Sequence, residues 1–226
     1  MPQLNKDQII EIKKFIHSRG FNTIEVEMEI LDHVASAVSA KLEKDPEKTL
    51  EKAIKEVHAS FGVLGFSTIE DEKQRLISRL VRQAFKEKFM SYFKTNKALI
   101  TLLCMAFFWL TIQVQIFPLE ETLRFYPMAL FIIFVLTFGF STLKKFNKLS
   151  KRSIMMSTAM ATIIILPNFG NIFGIIFKDL SEMGWGYSSL LYTAIMSIST
   201  IVLLAINDTI HWAYRWTFER YLKYDI

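Results

Sequence analysis

The sequence predicts an all-α membrane protein: a cytoplasmic three-helix prefix domain, an amphipathic linker helix and a four-helix transmembrane bundle. Three observations carry this prediction. Four apolar stretches, 98–117, 125–143, 153–177 and 188–206, are almost uninterrupted by charge, and each approaches or exceeds the roughly 20 residues a helix needs to cross hydrocarbon. Charge is split unevenly along the chain: residues 1–97 hold 17 Lys/Arg and 15 Asp/Glu, whereas 98–226 hold only 10 and 7. The first hundred residues place apolar stripes at helical spacing between start and stop signals. The predicted units are therefore the prefix domain 1–66, the linker helix 67–97, the four-span region 98–207 and an amphipathic cytoplasmic tail 208–226.

The first helix opens on Asn5 and Gln8, which have capping-box spacing, with Leu4 and Ile9 at staple spacing. Ile9, Ile12 and Ile16 form its stripe, and Gly20 supplies a left-handed stop. Asn22 with Glu25 and Phe21 with Val26 repeat the box and staple for the second helix, whose predicted buried face is Met28, Leu31, Val34, Ala35, Val38 and Leu42. Asp45-Pro46 reads as an acidic cap followed by proline at the first helical position. Leu50, Ala53, Ile54, Val57 and Phe61 then form a third apolar face, ended by Gly62.

A fourth helix is expected from Ser67, boxed by Glu70, through Leu76, Leu80, Ala84 and Phe89. Arg75, Arg79, Arg82 and Lys86 lie along one side of it, with Phe85, Phe89, Tyr92 and Phe93 interleaved. A basic edge beside an aromatic one suits a membrane interface, and it also suits a helix that packs on the first three.

The run Glu29-Ile-Leu-Asp32-His33, followed one helix later by Phe61-Gly62, resembles the small helical prefix domain of the HAAS type, which precedes membrane spans in many bacterial proteins. Residues 22–66, a fifth of the chain, more specifically resemble uncharacterised integral membrane proteins of Bacteroidetes. Within HAAS-type families the prefix accompanies signalling or regulators of the PadR kind. The resemblance therefore implies a regulatory role, carries over no catalytic residue and says nothing of the four spans.

Loop charge sets the expected orientation. Lys144, Lys145, Lys148, Lys151 and Arg152 lie between the second and third stretches with no acidic residue among them, which places that loop in the cytoplasm. The acidic loops 118–124 and 178–187 read as external, and Arg215, Arg220 and Lys223 as internal. Both termini are thus expected to be cytoplasmic, at a bacterial inner membrane. Residues 1–14 are polar and lack the apolar core of a signal peptide, so the first span is expected to direct insertion. Trp185, Tyr187, Trp212, Tyr214 and Trp216 fall at the expected interfaces, while Trp109 falls mid-span.

Candidate sites are few. The apolar stretches contain no Asp, Glu, Lys, Arg or His, which counts against a proton-coupled pump. Pro167, Asn168, Gly170, Asn171 and Gly174 place a helix breaker, amides and glycines in the outer half of the third stretch. This is either a proline kink with close helix contact at the glycines or a broken helix lining a path. Gln113 and Gln115 are candidate hydrogen-bond partners for those amides. Asp208 and His211, three residues apart, form a candidate interfacial pair. His33 and His58 could meet across the second and third helices, near Asp32 or Glu29, though ordinary edge positions account for both.

Cys104 is the sole cysteine, so no internal disulfide forms. Glu29-x-x-Asp32-His33 lacks the second histidine of a zincin, and no phosphate loop, Cys-x-x-Cys or Gly-x-Ser-x-Gly occurs. Neither an enzyme nor a cofactor or metal centre is expected. The net charge of +5 gives no argument for nucleic acid, because much of the basic excess lies where the positive-inside rule puts it. The expected partners are the lipid bilayer and a protein, or a second copy, bound through the cytoplasmic domain or the spans. The expected role is regulatory or interaction work through the cytoplasmic helical domain; the alternative is a small permease or channel using the broken third span.

Overall fold

The computed structural model describes residues 4–114, 146–162 and 185–222, and it is all-α, with no strand among the described residues. The helices are α1 (Lys6–Ser18), α2 (Ile24–Lys44), α3 (Leu50–Ser60), α4 (Ser67–Lys94), α5 (Ala98–Gln113), α6 (Ile154–Ala161) and α7 (Trp185–Thr217). A π-helical end, Phe218–Leu222, prolongs α7. The stretch 125–143 lies outside the described residues, and the third apolar stretch is described only over 153–162.

Local signals explain α1 fully. The Asn5 side chain accepts from the Gln8 N–H at 2.8 Å while the Gln8 side chain accepts from the Asn5 N–H at 2.8 Å. Gly20 (φ 94°) and Gly62 (φ 75°) end α1 and α3 in the left-handed region, where a side chain would be strained. Elsewhere tertiary structure overrides the expected caps. The Asn22–Glu25 box does not form: Thr23 is the cap of α2 without a side-chain bond, the Asn22 amide donates to the Gly20 carbonyl, and Glu25 bonds far from its own helix. Asp45 ends α2 rather than starting α3, whose cap is Thr49, accepting from the Lys52 N–H. The Ser67–Glu70 box is likewise absent: Phe66 is the cap, with no side-chain bond, and Glu70 N–H bonds to its carbonyl.

The buried faces rotate slightly from the expected ones. In α2 Met28 is exposed, and Val26 and Ile30 are fully buried beside Leu31, Val34 and Val38. In α4 Leu76 is exposed, and the buried line is Ile77, Val81, Ala84 and Tyr92. The resulting core does not stop at residue 66. One continuous apolar cluster joins Ile12 and Ile16 of α1, Val34 of α2 and Val57 of α3 to Met155 of α6 and Ile210 of α7. The polar N-terminal unit and the apolar helices share this core.

Helix α4 breaks at Lys94, where Thr95 N–H and Oγ1 both turn back onto the Ser91 carbonyl, and α5 departs at 72° to it. Helix α5 is apolar all round, with Leu99, Leu102, Leu103, Phe107 and Leu110 exposed. Among the described residues, Tyr187–Leu222 is the one helix long and apolar enough to cross a membrane by itself. It runs through the expected 207/208 boundary without interruption, so the tail continues the last apolar helix.

Helix α7 is the element on which α4, α5 and α6 pack. Ser189, Thr193, Ser197, Ile201, Ala205, Thr209, Ala213 and Thr217, every fourth residue, are all buried. Seven of these eight are small, which lets neighbouring backbones approach closely. Their hydroxyls turn inward: Thr193 donates to Ser189 O, Ser197 to Thr193 O, Thr209 to Ala205 O and Thr217 to Ala213 O, at 2.7–2.9 Å. Such back-bonding satisfies a buried hydroxyl without a partner on another helix.

The observed caps separate from the merely expected ones in stability. Asn5→Ala and Thr49→Ala should each destabilise the full-length protein by about 1 kcal/mol. Asn22→Ala should stay within about 0.5 kcal/mol, because its amide caps no helix. Chemical unfolding followed by circular dichroism in detergent distinguishes the two, and an Asn22 variant as unstable as the Asn5 variant would restore the expected box.

Candidate functional site: a buried carboxylate at a three-helix junction

The N-termini of α2 and α6 meet. Ser153 caps α6, its Oγ accepting from the Met156 N–H at 3.1 Å. The box position three residues on is Met156, so α6 brings no acid of its own to its first turn. Glu25, from the first turn of α2, supplies it. The Glu25 carboxylate accepts from Ile154 N–H at 2.9 Å, Met155 N–H at 3.1 Å and Ser153 Oγ at 2.5 Å. In return the Ile24 N–H of α2 donates to the Arg152 carbonyl at 2.8 Å.

The site is dry. Glu25, Met155, Met156 and Thr217 are fully buried, and Ser153 nearly so. Thr217, at the end of α7, approaches Ser153 Oγ to 3.4 Å. Tyr221 follows it, its phenol held above the ordinary range first by burial and next by the charge of Glu25. A carboxylate at a helix N-terminus meets both the orphan N–H groups and the positive end of the dipole, and burial strengthens these interactions. The geometry is that of a docking joint.

Beside Glu25, Glu27 is also buried and is held by His17 Nε2 at 3.0 Å and Lys13 Nζ at 3.5 Å. These contacts bind the first turn of α2 to α1, so the helix that presents Glu25 is itself fixed.

A second polar cluster lies at the α4–α5 elbow. Asp208 of α7 takes Lys97 Nζ at 2.5 Å and the Tyr92 hydroxyl at 3.1 Å. Lys97 also stands over the Tyr92 ring, and Thr101 Oγ1 donates to the Tyr92 carbonyl at 2.6 Å. The Tyr92 phenol is pushed well above its ordinary value, by burial first and by Asp208 second. The cluster pins both sides of the elbow to one point on α7.

The sequence-predicted positions separate accordingly. Asp208 is engaged by Lys97 and Tyr92, while His211 stands edge-on to Phe146 at 5.7 Å. Gln113 is exposed at the end of α5. Pro167, Asn168, Gly170, Asn171, Gly174 and Gln115 lie outside the described residues. His33 and His58 have different surroundings. His33 is exposed, 3.8 Å from Glu29. His58 sits edge-on to Phe15 and Phe66, its pKa lowered by burial and then by Arg19. Box spacing assigns Glu25 to Asn22, which hides its tertiary role. The available signal was at the other end: Ser153 opens an apolar helix that has no acid in its first turn.

Comparison with known proteins gives no match to a family model, a curated protein or a solved structure.

Removing the carboxylate orphans two buried N–H groups, at about 1–3 kcal/mol each. Glu25→Ala should therefore lower the unfolding midpoint in nanodiscs more than Glu25→Gln, which keeps one oxygen acceptor. Adding Ser153→Ala to Glu25→Ala should bring less than the sum of the single losses, because both remove the same cap. An unchanged midpoint in Glu25→Ala would refute the joint.

Proposed function

We propose that the chain is an integral protein of the bacterial inner membrane that crosses the bilayer four times with both termini cytoplasmic, and that its helical N-terminal unit does regulatory or protein-interaction work. The observation that carries this reading is the Glu25 joint: the polar unit holds the first turn of the third apolar stretch. A partner that draws α2 away uncaps that helix, so occupancy of the polar unit is felt by the apolar helices through one buried carboxylate.

Further observations support the reading. The bond from Ile24 to Arg152 holds the basic loop against the polar unit. Both then lie on one side of the bilayer, as two crossings within 98–143 and the positive-inside rule require. Helix α7, 33 residues long, extends about 50 Å, so about two-fifths of it emerges beyond a hydrocarbon core of about 30 Å, where it meets α4 and α6. The apolar exterior of α5 suits lipid. The likeness of residues 22–66 to HAAS-type prefix domains supports the regulatory part. At the tip of the polar unit, Val63 and Leu64 are exposed between Gly62 and Gly65, an apolar contact point for a protein partner.

Two measurements test the reading together. In a Cys104→Ser background, single cysteines replacing Glu121 and Glu182 should react with an impermeant thiol reagent in intact cells, and one replacing Lys148 should not. A photo-crosslinker at Val63 should capture a discrete protein in vivo, with a yield that changes in Glu25→Ala. Labelling at position 148 from outside would reverse the orientation, and no protein adduct at Val63 or Leu64 would remove the interaction role.

A further inference from the structure

Helix α4 carries a row of cations that the fold does not use. Arg75, Arg79, Arg82 and Lys86 are all exposed. Their spacing of four, three and four residues puts them on one face, opposite the buried line through Ile77, Val81 and Ala84. Among the described residues none of the four forms an ion pair, although Lys13, Lys41, Lys48, Lys55, Lys73 and Lys97 all do. The Arg79 Nε–H contacts only the Arg75 carbonyl, at 3.4 Å.

An aromatic ladder flanks this row. Phe85 stacks on Phe89 at 6.2 Å and Phe89 meets Phe93 at 5.3 Å. Phe85 and Phe89 pack along α7 beside Ile201 and Leu204, and Phe93 is exposed. Asp208 marks the end of the apolar part of α7, so the ladder stands at the level where hydrocarbon gives way to headgroups.

Orientation supplies the remaining constraint. With α5 crossing the bilayer, the 72° elbow lays α4 within about 20° of the membrane plane, with a spread set by the usual tilt of spans. A helix in that plane with a basic row beside an aromatic ladder matches an anionic surface in charge and shape.

We propose that the basic face of α4 is a binding surface for the anionic phospholipid headgroups of the leaflet in which the α4–α5 elbow sits. The four cations bind phosphate and phosphatidylglycerol charge, and the phenylalanine ladder sets the depth. This inference rests on the integral-membrane reading. It adds a ligand class: the position of α4, and through the shared core that of the polar unit, depends on local anionic lipid.

The test uses the full chain, Cys104→Ser, with a spin label on Ser78→Cys, one heptad before Phe85 on the ladder flank. Nanodiscs of phosphatidylcholine alone are compared with discs containing about one-third phosphatidylglycerol. Collision with a water-soluble nickel reagent should fall about threefold in the anionic discs at low salt and recover in high salt, as screening requires. The Arg75→Gln, Arg79→Gln, Arg82→Gln, Lys86→Gln variant should be indifferent to lipid charge, and the Arg79→Gln, Lys86→Gln pair intermediate. Equal collision in both discs for the native chain, as an acidic protein partner would leave it, overturns the proposal, and so does a quadruple variant that still responds. Alkaline carbonate extraction separates the parent reading: release of the native chain refutes membrane integration. Sedimentation with anionic vesicles then decides the basic face alone, where loss in the quadruple variant sustains it and equal sedimentation overturns it.

Discussion

The structure depends on the Glu25 carboxylate in the first turn of α6. A helix that starts in a dry interior exposes N–H groups that water cannot reach, and each must find an acceptor. Helix α6 finds its acceptor 129 residues away in sequence, on α2. The three donations to Glu25 and the return bond from Ile24 to Arg152 tie the polar unit to the apolar helices, with which it shares the core from Val34 to Ile210. The core and the joint support one another: the core excludes water from the carboxylate, and the carboxylate removes the penalty of burying the start of α6.

Much of the fold is legible in the sequence where the cause is local. The Asn5–Gln8 box needs only residues three apart, and it forms as written. Gly20 and Gly62 stop their helices because the left-handed backbone favours glycine whatever surrounds it. The class itself follows from periodicity and long apolar runs. Legibility fails where two local devices compete with a tertiary one. Glu25 has the spacing to serve Asn22, but the buried amides of α6 are the stronger demand. Ser67 with Glu70, and Asp45 with Pro46, are equally plausible in sequence, yet neighbouring backbone geometry selects Phe66 and Thr49 as the caps. The misplaced faces of α2 and α4 arise because several turns with apolar residues on more than one side admit a rotated stripe, and only packing chooses among them.

The candidate site was less legible than the fold. Its ligands come from α2, α6 and α7, and no spacing rule connects them. Asp208 is a candidate by its spacing to His211, but its partners Lys97 and Tyr92 lie more than a hundred residues away in sequence. The serines and threonines of α7 lie within what the sequence shows only as an apolar stretch. In space five of them fall on a line of every fourth residue that is buried throughout, and Thr193, Ser197, Thr209 and Thr217 each donate within α7.

That line has a mechanical consequence. Four residues turn an α-helix by about 40° beyond a full revolution, so a row of every fourth residue is a thread that winds around the rod. Neighbours engage it at different heights and different bearings, α5 near the start and α6 near the end. Tilting the rod would lift one neighbour and press another. Twisting it about its own axis shifts the thread under all of them at once, against the polar bonds of Asp208 with Lys97 and Tyr92 and of Thr217 with Ser153. Torsion is therefore the motion by which α7 would carry a disturbance from one end of the molecule to the other.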